Sequence, residues 1–323
     1  MKEKKAYILA LDLGGTRFRV ALADDKGKML DRFSDLTHTE RGKEWVLANI
    51  NQALHKMLSG VSIEQVRAMS VSAPGPLEPF SGVLLRAPNM PGWYNVPLKA
   101  IWEKELGIPV FVSNDANLGA LGEHRFGVGK GINDLVYITV STGVGGGVIS
   151  QGRLLLGWRG LAGEVGHMTV DPNGPRCICG NMGCLEVLAS GSAIARQARE
   201  RMKRGDDTII SSMVSGNIDG VTGETVTTAA KKGDALALEI VSKAAFYLGI
   251  GIVSLVHLLN PKLIVIGGGV SNLGSLLFEP VRALVGERAI PDFLEGLEIL
   301  PTSLGDNVSL MGAIALVLDG TSG

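Results

Sequence analysis

The stretch Cys177-Ile-Cys-Gly-Asn-Met-Gly-Cys184-Leu-Glu186 contains all three cysteines of this 323-residue chain. Thiols this close read as metal ligands before disulfides, because an odd number cannot all pair and a reducing compartment keeps thiols reduced. A tetrahedral site needs a fourth ligand, and His167 lies ten residues before Cys177, in Gly163-Glu-Val-Gly-His167. His167, Cys177, Cys179 and Cys184 match the three-thiolate, one-imidazole set of structural zinc. Four protein ligands leave no open position for water, so such a metal supports rather than reacts. Alone, His167 would read as a hydrogen-bonded structural histidine; the odd thiols change that. Glu164 precedes His167 by three residues and Glu186 follows Cys184 by two, so fixing the ligands fixes both carboxylates.

Three glycine turns carry a second chemistry. In Asp12-Leu-Gly14-Gly15-Thr16 the glycines let backbone N–H groups approach a phosphate, and Thr16 adds a hydroxyl donor. Asp12 repels phosphate unless a divalent cation intervenes, which points to Mg²⁺ held directly or through water. One such turn is as readily a plain hairpin. Ser141-Thr142-Gly143-Val-Gly145-Gly146-Gly147 and Ile266-Gly-Gly268-Gly-Val270 repeat the pattern at strand ends and suggest a nucleotide. Neither a Walker A sequence nor Gly-x-Gly-x-x-Gly occurs, which argues against a P-loop enzyme and a typical Rossmann dehydrogenase. A third signal is Val112-Ser-Asn114-Asp115-Ala-Asn117. Asp115 stands where a strand yields to a helix, so it is either an N-cap or a carboxylate that takes a hydroxyl proton during phosphoryl transfer.

The elements that must position these groups alternate strand and helix. Strands are expected at Tyr7 to Leu13, Phe18 to Ala23 and Lys28 to Ser34, a helix at 43–58, a strand at 66–73, a helix at 98–106, a short strand at 110–112 and a helix at 116–125. Strand, glycine turn, strand then recurs at Leu135 to Val140, Thr142 to Gly147 and Val148 to Ser150. That repetition predicts a duplicated α/β domain, two lobes with a cleft between their glycine turns. At this length and with 46% hydrophobic residues, two cores are the default. Basic residues number 31 and acidic 32, which offers no general attraction to nucleic acid or an anionic membrane. The N-terminus lacks the apolar region of a signal peptide, so a cytoplasmic location is expected. Ala244 to Leu259 is apolar but falls short of the roughly 20 residues that span a bilayer, and reads as a buried or interface helix.

Taken in order, DLGGT, SNDAN, STGVGGG, GEVGH, CICGNMGCLE and NPKLIVIGGGVS resemble the ROK family of sugar kinases and sugar-responsive repressors, above all its bacterial glucokinase branch. The resemblance covers nearly the whole chain, and GEVGH joined to the spaced cysteines is its most specific part. It implies a two-lobed actin-like, ribonuclease-H-like α/β fold: an N-terminal lobe over 1–120 completed by a helix at 308–323, and a C-terminal lobe over 121–307 with a zinc loop at 167–186. It further implies Asp115 as catalytic base and a hexose held by Asn89, Asn114, Asp115, Glu164, His167 and Glu186. ATP with Mg²⁺ would meet Asp12, Gly14, Gly15, Thr16, Thr142, Gly143, Gly145, Gly146 and Gly268. A homodimer or homotetramer is implied too. Ser141 stands where glucokinases often have glycine, and Pro76-Leu-Glu78 where Pro-Val-Asp is common, which leaves the exact hexose open. The expected reaction is transfer of the γ-phosphoryl group of ATP to the 6-hydroxyl of glucose. N-acetylmannosamine or another hexose is the alternative acceptor and polyphosphate the alternative donor. A sugar-sensing regulator would need a DNA-binding module, for which a DLGGT beginning at Asp12 leaves no room in front.

Overall fold

The computed structural model describes residues 6–87 and 90–320. They fall into two compact units: Met1–Gly131, Arg153–Gly163 and Asp306–Gly323 form unit 1, and Ile132–Gly152 with Glu164–Gly305 form unit 2.

In unit 1, β1 (Tyr7–Leu13), β2 (Arg17–Asp24) and β3 (Met29–Leu36) form an antiparallel meander. Helix α1 (Lys43–Met57) leads to β4 (Val66–Ala73). A small sheet of β5 (Leu77–Glu78), β6 (Val83–Arg86) and β7 (Tyr94–Pro97) follows, then α2 (Leu98–Leu106), β8 (Val110–Asn114) and α3 (Asp115–Phe126). The sequence pattern does not foresee the small sheet, because strands of two to four residues are too short to show alternation. The main sheet runs β3–β2–β1–β4–β8, with β1, β4 and β8 parallel.

Alternation on β1 decides what covers each face. Leu9, Leu11 and Leu13 point into a core with Val46, Ile50 and Leu54 of α1 and Trp102 of α2. The intervening row Ala21, Ala10 and Ser70 is small and directly paired across β2, β1 and β4. The apolar helix Val308–Leu318 packs on β1 and β4 and against α3. Its contact with α3 passes through glycines: a Cβ on Gly122 would stand 2.7 Å from the Val308 carbonyl oxygen, and one on Gly312 would overlap that of Leu118.

Unit 2 repeats the plan. Strands β9 (Leu135–Val140) and β10 (Val144–Ser150) are antiparallel, Leu263–Gly267 lies parallel to β9, and Glu298–Pro301 parallel to that. This is the order of pairings in β2–β1–β4–β8, as duplication predicts. The turn before β10 is shorter than the sequence suggests. Gly145, Gly146 and Gly147 pair with Thr139, Ile138 and Tyr137 as strand, and only Ser141–Gly143 turns, closed by Ser141 N–H donating to the Gly143 oxygen at 2.9 Å. The tight closure leaves the glycines as a strand without side chains, where another group can approach the backbone.

Helices α4 (Leu185–Ala189) and α5 (Gly191–Lys203) follow the cysteine loop. The helix Ala235–Leu259 then runs through the core, with Ile240, Ala244, Leu248 and Ile252 against Val136, Ile138, Ile264 and Ile266. It is longer than the apolar run in the sequence. The Asp234 side chain caps it, accepting from Ala237 N–H at 2.8 Å, and Leu236, Ile240 and Val241 extend the buried stripe. At 25 residues it is long and apolar enough to cross a membrane, but more than half of its apolar stretch is buried in the protein, as a core helix requires.

Candidate functional site

The first glycine turn closes β1 onto β2, with Gly14 N–H donating to the Arg17 oxygen at 3.1 Å. Thr37 clamps it from the end of β3: its hydroxyl donates to the Gly14 oxygen at 2.6 Å and its N–H to the Thr16 oxygen at 2.9 Å. Gly15 is half-buried and Thr16 exposed. Asp12 lies two residues before the turn, nearly buried, and directly opposite Arg19, whose guanidinium donates to its Oδ2 at 2.8 Å. Burial lifts the Asp12 carboxyl above its usual range even with Arg19 opposing the shift. The sequence gives no signal for Arg19, because pairing across a hairpin depends on a register known only once the turn is closed. A single carboxylate of this kind fits Mg²⁺, which keeps most of its waters.

The Asp115 region resolves one ambiguity. Asn114, not Asp115, is the N-cap of α3: its side-chain oxygen accepts from Ala116 N–H at 2.9 Å and Asn117 N–H at 3.4 Å, and its amide donates to the Gly75 oxygen at 3.3 Å. Asp115 is the first helical residue, and its Oδ1 accepts from Ala116 N–H at 2.8 Å.

In unit 2, His167 ends a short helical turn, Val165–His167, and the three cysteines gather beside it. The ligand atoms of His167, Cys177, Cys179 and Cys184 all lie within 4.8 Å of one another. Cys177 Sγ stands 3.7 Å from His167 Nδ1, and Cys179 Sγ 3.7 Å from Cys184 Sγ. Tetrahedral zinc with ordinary Zn–S and Zn–N bonds sets such pairs about 3.5–3.8 Å apart, so this donor set fits zinc. Burial raises the Cys177 thiol and pushes Cys184 up to about 12, while a backbone hydrogen bond from Asn181 lowers exposed Cys179. A metal bound there would have to displace the protons of these two raised thiols. Gly183 is required at its positive φ of 60°, since a Cβ there would overlap the Asp171 oxygen and prise the loop open.

Glu164 and Glu186 stand close to this cluster. Burial raises the Glu164 carboxyl, the His167 imidazole lowers it, and the Glu186 charge raises it. Those influences mark Glu164 as electrostatically linked to His167 and Glu186 within unit 2. Facing Nδ1 toward the thiols leaves the other ring nitrogen of His167 for a second partner. Glu186 Oε2 accepts from Val144 N–H at 3.0 Å, a link to the second glycine turn that sequence spacing does not reveal. Within that turn lie Thr142 and Gly143, with Gly145 and Gly146 in β10 beyond it. Gly268, at φ 83°, follows Leu263–Gly267, and a Cβ there would overlap the Val140 oxygen, so the third glycine stretch abuts the second. Asn89 lies outside the described residues.

Chemically, unit 1 presents a backbone turn with a buried acid and, after β8, a carboxylate at a helix start. Unit 2 presents a second turn, a carboxylate–imidazole group and a metal-ligand set. A profile described as the ROK family matches residues 8–320. A glucokinase of Thermotoga maritima is 35% identical over 319 residues, covering 99% of both chains. A xylose repressor of Caldicellulosiruptor bescii is 33% identical, covering 96% of this chain and 78% of the repressor. Among solved structures, a ROK family glucokinase from Streptomyces griseus in complex with glucose and AMPPNP superposes with a TM-score of 0.84 at 34% identity, covering 96% of this chain and 99% of that one.

Proposed function

The chain belongs to the ROK family, and on that premise we propose that it is an ATP-dependent sugar kinase that phosphorylates glucose at the 6-hydroxyl. Asp115 accepts the hydroxyl proton as the new O–P bond forms and the bond from the γ-phosphorus to the departing ADP oxygen breaks. The observation that carries this role is the cap of α3. Asn114 makes the cap hydrogen bonds, so the N-cap position does not account for a carboxylate at Asp115.

Asn89, Asn114, Glu164, His167 and Glu186 hold the sugar hydroxyls in this reading. Gly14, Gly15, Thr16, Thr142, Gly143, Gly145, Gly146 and Gly268 receive the nucleotide in this reading, where glycine lets the backbone approach its phosphates; the Gly14 N–H itself closes its turn onto Arg17. Bound near Asp12, Mg²⁺ would neutralise charge on the phosphates. Zinc at His167, Cys177, Cys179 and Cys184 would supply rigidity to the sugar-binding group, not chemistry. Glucokinase relatives of near-full coverage support glucose as the acceptor. A homo-oligomer and the cytoplasm complete the proposal as its assembly and location.

A coupled ADP-release assay over a panel of hexoses and N-acetylhexosamines tests the reading. Glucose should give the highest kcat/KM. Absence of sugar-dependent ADP release from folded, zinc-loaded protein would overturn it, and a preference for an N-acetylhexosamine would transfer the activity to that alternative acceptor.

A further inference from the structure

The second glycine turn is gripped by the segments that carry the sugar-binding group. Val144, which opens β10, donates its N–H to Glu186 Oε2 at 3.0 Å. Its carbonyl oxygen lies so near Gly166 that a Cβ there would overlap it. Gly143 is constrained less rigidly, because a Cβ on it would overlap the movable end of the Glu186 carboxylate. On the far side, Gly191 N–H at the start of α5 donates to the Ser141 oxygen at 2.7 Å, and a Cβ on Gly191 would stand 2.8 Å from that atom. Gly166 precedes His167 and Glu186 sits in α4, two residues past Cys184.

We infer that Glu186 couples the sugar site to the phosphate turn, an inference that rests on the function proposed above. One carboxylate oxygen belongs to the Val144 N–H. A sugar hydroxyl taken by the other oxygen fixes the side-chain torsions, and the turn loses the alternative positions it samples while Glu186 can swing. Sugar therefore prepares the turn for phosphate, and linkage requires that nucleotide tighten sugar by the same factor. Position 143 is glycine because a methyl group there would push the flexible carboxylate end aside and break the connection.

Calorimetry with glucose and a non-hydrolysable ATP analogue reads the coupling directly. For the unmodified, zinc-loaded protein, saturating glucose should tighten the analogue by roughly five- to tenfold, and the analogue should tighten glucose equally. Gly143→Ala should weaken glucose measured without any nucleotide, by several-fold, and reduce the coupling factor to within about twofold of one. A role confined to phosphate binding would leave that glucose affinity untouched, so an unchanged value with coupling intact overturns the inference. Should Gly143→Ala not fold, Glu186→Asp serves instead. Its shorter side chain cannot reach Val144, so analogue binding measured without glucose should weaken several-fold; an unchanged value overturns the inference. Glucose-dependent ADP release by the unmodified protein separates the two levels. If that activity is present and the coupling absent, this inference fails while the kinase reading stands; if the activity is absent, the reading beneath it fails.

Discussion

The two glycine turns descend from the same strand–turn–strand plan, yet they are furnished from opposite directions. The first takes everything from its own meander: Asp12 and Arg19 face each other across β1 and β2, and Thr37 clamps the turn from the end of β3. At the second turn the partner of Gly145 is Thr139, an uncharged residue. Its acid arrives from outside the sheet, as Glu186 on α4, hung beside a metal-ligand loop. Duplication thus preserves the backbone device while each copy finds its own polar support. The first turn should therefore fail or survive by itself, and the second should fail together with the sugar group.

The largest effect should come from a residue in neither turn. If both turns only bind, Asp115→Asn should lower kcat by about 10²- to 10⁴-fold while nucleotide affinity stays within roughly twofold. A loss of that size in kcat from Asp12→Asn, at unchanged nucleotide affinity, would break the division of labour.

Next in size is Cys184→Ser, or removal of zinc. Either should raise the KM for sugar by about 10- to 100-fold, as for other groups that support a metal site. Nucleotide affinity should fall less, through Val144, and the first turn should be unaffected. Metal analysis checks the premise; a folded, zinc-free sample with both affinities undiminished would detach the second turn from the loop.

Gly15→Val sharpens the contrast. A branched side chain where the backbone meets phosphate should cut nucleotide affinity by roughly tenfold and leave glucose affinity, measured alone, unchanged. Gly143→Ala moves both affinities. Equal behaviour of the two variants in calorimetry would erase the difference between the turns.

The smallest expected effect is in stability. Arg19→Met leaves the Asp12 carboxylate without its charged partner and should cost about 1 kcal/mol, allowing for the partial exposure of the pair. Arg19→Lys should recover part of it. Urea denaturation midpoints at neutral pH measure both, and an unchanged midpoint for Arg19→Met would show that the turn needs no internal counter-ion.

What the sequence makes legible follows from where the information sits. Strand periods and Gly-Gly pairs are local, so the duplicated strand–turn–strand units emerge at once, and β4, α2 and β9 begin and end where the pattern places them. Eight positions hold the three cysteines, and their odd number asks for His167. Register and close approach are not local. Whether Asn114 or Asp115 caps α3 depends on one backbone torsion at the strand end. That Gly145 to Gly147 are strand rather than turn depends on where the hairpin closes. The Glu186–Val144 hydrogen bond joins residues 42 apart, and no spacing rule connects them.

The helix Val308–Leu318 also sets the order in which the protein can be made. Unit 2 is complete in the chain at Gly305, whereas the Ala10–Ser70 side of the first sheet waits for a cover synthesised afterwards. At about 5–20 residues per second, roughly 9–35 s separate emergence of Gly131 from that of Asp306. On the ribosome the half made first is thus the half finished last, and during that interval this face of its sheet lacks its final apolar cover.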